Sequence, residues 1–231
     1  MEQRSTTGTA HPLTLVTDEM VRIFADLGFS MATGPEMEDE WHNFDALNVP
    51  AGHPAREMQD TFWIRGQQGK LLRTHTSGVQ IRYMETHQPP IAIIAPGKVF
   101  RNEATDATHE MQFHQMEGLL VGENISIAHL KGVLLEFFKR FVGESAEIRL
   151  RPSFFPFVEP GLEVDMKIGE KWVEVLGAGL VNPKVLEAVG YDPEKVSGFA
   201  FGMGIDRLAT LKFGIPDVRL YYQGDARLNQ F

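Results

Sequence analysis

Two short runs in this chain hold side chains suited to chemistry. Phe100, Arg101, Asn102 and Glu103 close one apolar run, and Phe113, His114, Gln115, Met116, Glu117 and Gly118 open the next. Arg101 and Glu103 are two residues apart, which puts both on the same face of a strand. A polar loop carrying Asp106 and His109 separates the runs. A hairpin of this kind suits an anionic, planar, amine-bearing ligand. Arginine pairs with phosphate, phenylalanine stacks on a flat ring, and Gln with Glu holds an ammonium group.

A second constellation lies in Gly198-Phe199-Ala200-Phe201-Gly202-Met203-Gly204-Ile205-Asp206-Arg207-Leu208. A glycine-rich strand entering a helix lets a ligand approach the backbone at Gly202 and Gly204, with Arg207 in the first helical turn. The glycine spacing does not fit a dinucleotide fingerprint. Taken alone, Arg207 reads as a structural ion-pair residue. Likewise His75, in Arg73-Thr74-His75-Thr76-Ser77, reads alone as a satisfied surface histidine, and Glu159 as a solvated carboxylate. Phe155 and Phe157 point the same way if their segment is extended. Ordinary core is the default for such a pair, yet two rings on one face can also hold a third edge-to-face. His109 and His114 are five apart in a loop and strand, which excludes the helical i, i+4 zinc pair of a metallohydrolase.

These residues need elements to hold them. Apolar residues recur at helical spacing from Pro12 to Leu27, with Gly28 as the stop. Phe29 to Glu36 reads as a short strand. Residues 40–70 are loop-rich, with strand patterns at Thr61–Ile64 and Leu71–Arg73. Ser77 to Met84 predicts a short helix, Ile91 to Ala95 a strand, Ile127 to Phe141 a long helix. Strands follow at Ile148–Arg151, Leu162–Ile168, Trp172–Leu176 and Gly198–Met203, then a helix at Ile205–Phe213 and a polar tail. Consecutive strands joined by short turns predict an α+β fold, a mainly antiparallel sheet flanked by helices.

The 231 residues suffice for one large domain with a substantial core. Composition is that of a soluble globular protein, 43% hydrophobic and 23% charged. No run of about eighteen apolar residues suggests a membrane span. Residues 1–10 carry no signal-like apolar core and read as a disordered tail, with a single domain over 11–231. The absence of cysteine excludes disulfides and thiolate chemistry, and weakly favours the cytoplasm. A net charge of −9 sits awkwardly with a nucleic-acid partner, whose phosphates call for cations.

The pattern F-R-x-E, loop, F-H-Q-x-E-G resembles motif 2 of the class II aminoacyl-tRNA synthetases, in the form found in alpha subunits of bacterial phenylalanyl-tRNA synthetases. The resemblance runs from about His11 to Phe231. The first helix and strand, ending at Pro35, resemble motif 1, which builds a subunit interface in that family. His53-Pro54-Ala55-Arg56, Arg73-Thr74-His75-Thr76-Ser77 and Phe155-Pro156-Phe157-Val158-Glu159-Pro160 resemble further family segments. The Gly198–Leu208 segment resembles motif 3, with one departure: Asp206 stands where the family usually has Glu, one methylene shorter.

The resemblance implies the class II synthetase fold and a phenylalanine–tRNA ligase activity using ATP and Mg2+. It implies a beta-subunit partner, a heterotetramer of two alpha and two beta subunits, tRNA(Phe) and L-phenylalanine as substrates, and no membrane. The catalytic group is then Arg101, His109 and Arg207. ATP falls to these three with Glu103, Phe113, Gly202 and Gly204. Phenylalanine falls to His75, Ser77, Gln115 and Glu117 at its polar end, and to Phe155, Phe157, Val158, Ala178 and Ala200 around its ring. Glu159 is the magnesium ligand, in a site shared with the beta subunit. The family's N-terminal coiled-coil arm is expected to be absent, since only about ten polar residues precede the homologous region. The competing expectation is a paralogue or cut-down core that adenylates an amino acid for a non-tRNA acceptor, or a non-catalytic binding or regulatory module. The presence of every ATP and ammonium ligand favours activation.

Overall fold

The computed structural model describes residues 9–49, 51–52 and 61–230. The His53–Arg56 segment and the first eight residues lie outside these. Helix α1 (Pro12–Asp26) opens the fold, with His11 capping it by accepting from the Leu13 N–H at 3.3 Å. Its Leu13, Val16, Met20, Ile23 and Phe24 form one buried stripe, as the spacing predicts.

Strand β1 is shorter than expected. It comprises only Ser30–Met31 and pairs in parallel with β4 (Ile91–Phe100). The rest of the expected strand leaves the ladder because a side chain takes its carbonyls. The Arg73 guanidinium donates to the oxygens of Gly34 and Pro35 at 3.2 and 3.3 Å, and to that of Lys98 at 2.7 Å. A small second sheet follows, pairing β2 (Met37–Asp39) with β3 (Lys70–Leu72), with the short α2 (Glu40–Asn43) between them. The strand expected at Thr61–Ile64 is only a bridge from Trp63 to Leu71.

Helix α3 (Ser77–Thr86) leads into β4, which forms a long antiparallel hairpin with β5 (Gln112–Gly122). Helix α4 (Ile127–Val142) then crosses behind the sheet. A meander of β6 (Ile148–Phe155), β7 (Val158–Ile168) and β8 (Lys171–Val181) follows, then α5 (Pro183–Ala188), β9 (Ser197–Gly204) and α6 (Ile205–Phe213). The seven-stranded sheet has the order β1-β4-β5-β9-β8-β7-β6, and every pair except β1–β4 is antiparallel.

The sheet separates two cores. On one face α1, α4 and α6 bury Phe24, Phe137, Phe138 and Leu208 against Phe199, Phe201 and Met203. On the other, α3, α5 and the turn at Asp45–Leu47 bury Phe44, Ile81, Met84 and Leu186 against Ile93, Leu119 and Val121. Apolar cover on both faces matches the near-continuous apolar runs of β4 and β9. The expected polar tail is packed instead. It forms two 3-10 turns, Val218–Tyr222 and Ala226–Gln230, with Val218, Tyr221 and Leu228 buried. Tyr221 meets His11 edge-to-face at 5.9 Å, so this segment packs beside the start of α1.

Candidate active site

Where the sheet's central strands face α3, a cavity of about 840 Å³ opens. Its floor is set by register. Glu117 on β5 lies opposite Gly202 on β9, and Gly202 opposite Gly177 on β8. Two residues along each strand, Leu119, Ala200 and Gly179 form a parallel row. Alternation puts both rows on the same face. The middle of the floor therefore carries nothing larger than a methyl group.

Glu117 anchors the polar end. It is buried, and its carboxylate accepts from the Thr76 N–H at 3.1 Å, the Ser77 hydroxyl at 2.5 Å and the Gln80 amide at 3.2 Å. Two of these donors sit at the start of α3, where the helix dipole also favours an anion. Burial nonetheless pushes the Glu117 carboxyl up to about 7, against the pull of these bonds and of Arg101 and Arg73. Ser77 is thus committed to Glu117 in this state. Gln80, which the sequence reading missed, lies one helical turn after Ser77, a spacing that places both on one face.

His75 is buried, not on the surface, and lines the cavity. Burial and the nearby Arg101 charge push its imidazole down to about 3, so it is neutral at physiological pH. Asn43 braces this loop, exchanging hydrogen bonds with Thr74 at 3.1 and 3.2 Å. Among the described residues, His75 Nδ1, Thr76 Oγ1 and Gln115 Oε1 are buried without a hydrogen-bond partner. His75 and Gln115 both line the cavity. Such atoms are costly to leave unpaired, and a polar ligand would satisfy them.

Arg101 and Glu103 also line the cavity, but not from a strand, because β4 ends at Phe100. The Arg101 N–H donates to the Met111 carbonyl at 2.9 Å, its Nε to that of Thr74 at 3.3 Å, and its guanidinium sits 4.9 Å over the Phe113 ring. Burial lowers the Arg101 pKa from its ordinary value, with Glu103 and Glu117 opposing that shift.

The apolar end is walled by Phe155, Phe157 and Val158. The two rings do not alternate along an extended strand. Pro156 and Phe157 form the turn between β6 and β7, which brings the rings into a stack at 5.9 Å and 20°. Ala178 lines the cavity too, although it belongs to the core on the sheet's other face.

Five expected site residues stand apart from the cavity lining: His109, Phe113, Glu159, Gly204 and Arg207. His109 is exposed in the hairpin loop, its Nδ1 3.0 Å from Asp106. Arg207 is exposed at the start of α6, just after Gly204. Glu159 is exposed and accepts one long bond from Asn182, at 3.4 Å. Next to Arg207, Asp206 is buried; it accepts from the Tyr222 hydroxyl at 2.5 Å and the His114 N–H at 2.8 Å, and burial raises its carboxyl to about 6. The one carboxylate–histidine cluster of metal-binding size among the described residues is Glu38, Asp39 and His42. Arg82 and Lys70 already pair with it, which leaves no call for a cation.

The whole chain, residues 1–231, matches the class II core domain (F) of tRNA synthetases. The phenylalanine–tRNA ligase alpha subunit of Dehalococcoides mccartyi (strain CBDB1) is 54% identical over 242 residues, covering 97% of this chain and 70% of the relative. That of Shigella boydii serotype 18 is 55% identical over 231 residues, covering 99% and 70%. The fold resembles the crystal structure of pyrrolysyl-tRNA synthetase from Desulfitobacterium hafniense, with a TM-score of 0.72 at 18% identity over 93% of this chain and 74% of that one.

Proposed function

The chain belongs to the alpha subunits of phenylalanine–tRNA ligase, built on the class II synthetase core, and we propose that its cavity is where phenylalanine meets ATP. The activity is that of a ligase, which activates phenylalanine with ATP and passes the acyl group to tRNA. One observation carries the placement: a single cavity joins a buried carboxylate nest at Glu117 to the aromatic wall of Phe155 and Phe157, across a floor without bulky side chains.

The substrate ammonium pairs with Glu117 and Gln115, and its ring lies between Phe155, Phe157, Val158 and Ala200. Neutral His75 and the cationic Arg101 face the carboxylate. A carboxylate oxygen attacks the α-phosphorus of ATP, the bond to pyrophosphate breaks, and phenylalanyl-adenylate forms. A tRNA terminal hydroxyl then takes the acyl group and AMP leaves. No side chain needs to bond covalently, so positioning and charge neutralisation by Arg101 do the work. Adenine stacks on the Phe113 face that Arg101 leaves open, with Glu103 at its amine. His109 and Arg207 hold the outer phosphates. Their exposure suits a ligand that extends out of the cavity, and Arg207 at a helix start suits an anion.

Glu159 fits a magnesium site of one protein carboxylate completed by substrate phosphates. When bound, the ion supplies neutralisation of phosphate charge. A beta-subunit partner follows from the family, and we extend this to an assembly of two alpha and two beta subunits.

Phenylalanine-dependent ATP–pyrophosphate exchange tests the reading, with tyrosine and leucine as controls and the complex with the beta subunit as the enzyme. Exchange with phenylalanine alone, lowered at least about 100-fold in Arg101→Ala, is the expected result. Equal exchange with all three amino acids would overturn it.

A further inference from the structure

The walls of the ring pocket rest on two alternate glycines of β8. A Cβ built on Gly177 would lie 3.0 Å from Phe155 Cζ and 3.3 Å from its Cε2. A Cβ on Gly179 would lie 2.7 Å from Val158 Cβ and 2.5 Å from the Pro160 carbonyl oxygen. All four distances are shorter than ordinary non-bonded contacts. Phe155 and Val158 are therefore drawn down onto the strand, each into the space a side chain would fill.

We propose that Gly177 is a specificity-determining position: by lacking a Cβ it sets how far the Phe155 ring stands from the substrate ring. This rests on the reading of the cavity as the phenylalanine site. A methyl at residue 177 cannot recede, because it is fixed to the middle of a paired strand, held between β7 and β9. The ring is the part free to yield. It contacts Gly177 through its far edge, the Cζ and Cε atoms, and tilting that edge away from β8 moves it into the cavity. Gly177 itself touches no reacting atom in this scheme; it acts through Phe155. Gly179 plays the same part for Val158, but its contact with a backbone oxygen makes substitution there a test of folding. The three atoms nearest a Cβ at Gly177 all belong to the Phe155 ring, so its substitution reads out pocket width.

The test is Gly177→Ala in the complex with the beta subunit, assayed by pyrophosphate exchange. The KM for phenylalanine is expected to rise about tenfold, the effect of one methylene in an apolar pocket, with kcat and the KM for ATP held. Phe155→Leu removes the ring edge that the methyl would strike. Added to it, Gly177→Ala is then expected to cost nothing further, a non-additivity that a general loss of structure would not give. An unchanged phenylalanine KM in Gly177→Ala, a parallel rise for ATP, or a full penalty on top of Phe155→Leu would overturn the inference. If Gly177→Ala alone does not fold, the double variant is expected to fold; failure of both also overturns it. Absence of phenylalanine-dependent exchange in the wild-type complex would instead defeat the functional reading, and this inference with it.

Discussion

The Ser77 hydroxyl donates to Glu117 across 2.5 Å, joining the start of α3 to the middle of β5. Glu117 is thereby held by three donors, yet burial still lifts its carboxyl to about 7. An ammonium ligand needs the ionised form. Protonation competes with phenylalanine below that value, so the KM for phenylalanine should rise about tenfold per unit as pH falls below 7 and level off above it. Exchange kinetics from pH 5.5 to 8.5 would show this, and a KM flat across that range would contradict it.

Tyr222 donates its hydroxyl to Asp206, which is buried and raised to about 6. A carboxyl raised in the folded state favours folding when protonated, and that contribution fades as pH rises from its ordinary value through 6. Tyr222→Phe removes the bond that the ionised form relies on. The loss of stability should be about 1 kcal/mol at pH 5 and grow to about 2 kcal/mol at pH 8. Urea unfolding at the two pH values measures the difference.

Phe24 is the centre of an aromatic cluster, 4.7 Å from Phe137, 5.2 Å from Phe201 and 5.6 Å from Phe29. It is completely buried. Phe24→Ala should cost about 3–5 kcal/mol and lower Tm by about 10 °C. Because Phe201 also lines the cavity, the phenylalanine KM should rise as well. Calorimetry with exchange kinetics checks both.

Phe157 stacks on Phe155 from the turn between β6 and β7. Phe157→Leu should raise the phenylalanine KM about tenfold. In a double-mutant cycle with Phe155→Leu the two rings should couple by about 0.5–1.5 kcal/mol. A coupling of zero would mean that the two rings act separately.

The helices and most strands were legible because their apolar periodicity serves their own burial. Ile205–Phe213 and the start of Ile127–Val142 follow from pattern alone. Illegible features depend on distant partners. No local pattern reveals that Arg73 takes the carbonyls of Gly34 and Pro35 out of β1. Nothing around His75 announces that it will be buried beside the Arg101 charge. Glu117, Gln115 and the Phe155–Phe157 pair were legible as residue types, and the cavity does unite them. The turn at 156–157 and the commitment of Ser77 to Glu117 were not, since each is fixed by register between strands or elements far apart in the chain.

The edge-to-face meeting of His11 and Tyr221 ties the start of α1 to the segment that follows α6. The same Tyr221 hydroxyl lies 3.3 Å from that of Thr210 on α6, so one ring joins both helices to that segment. Local opening there should therefore release α1 and α6 together, and their backbone amides should share one hydrogen-exchange protection.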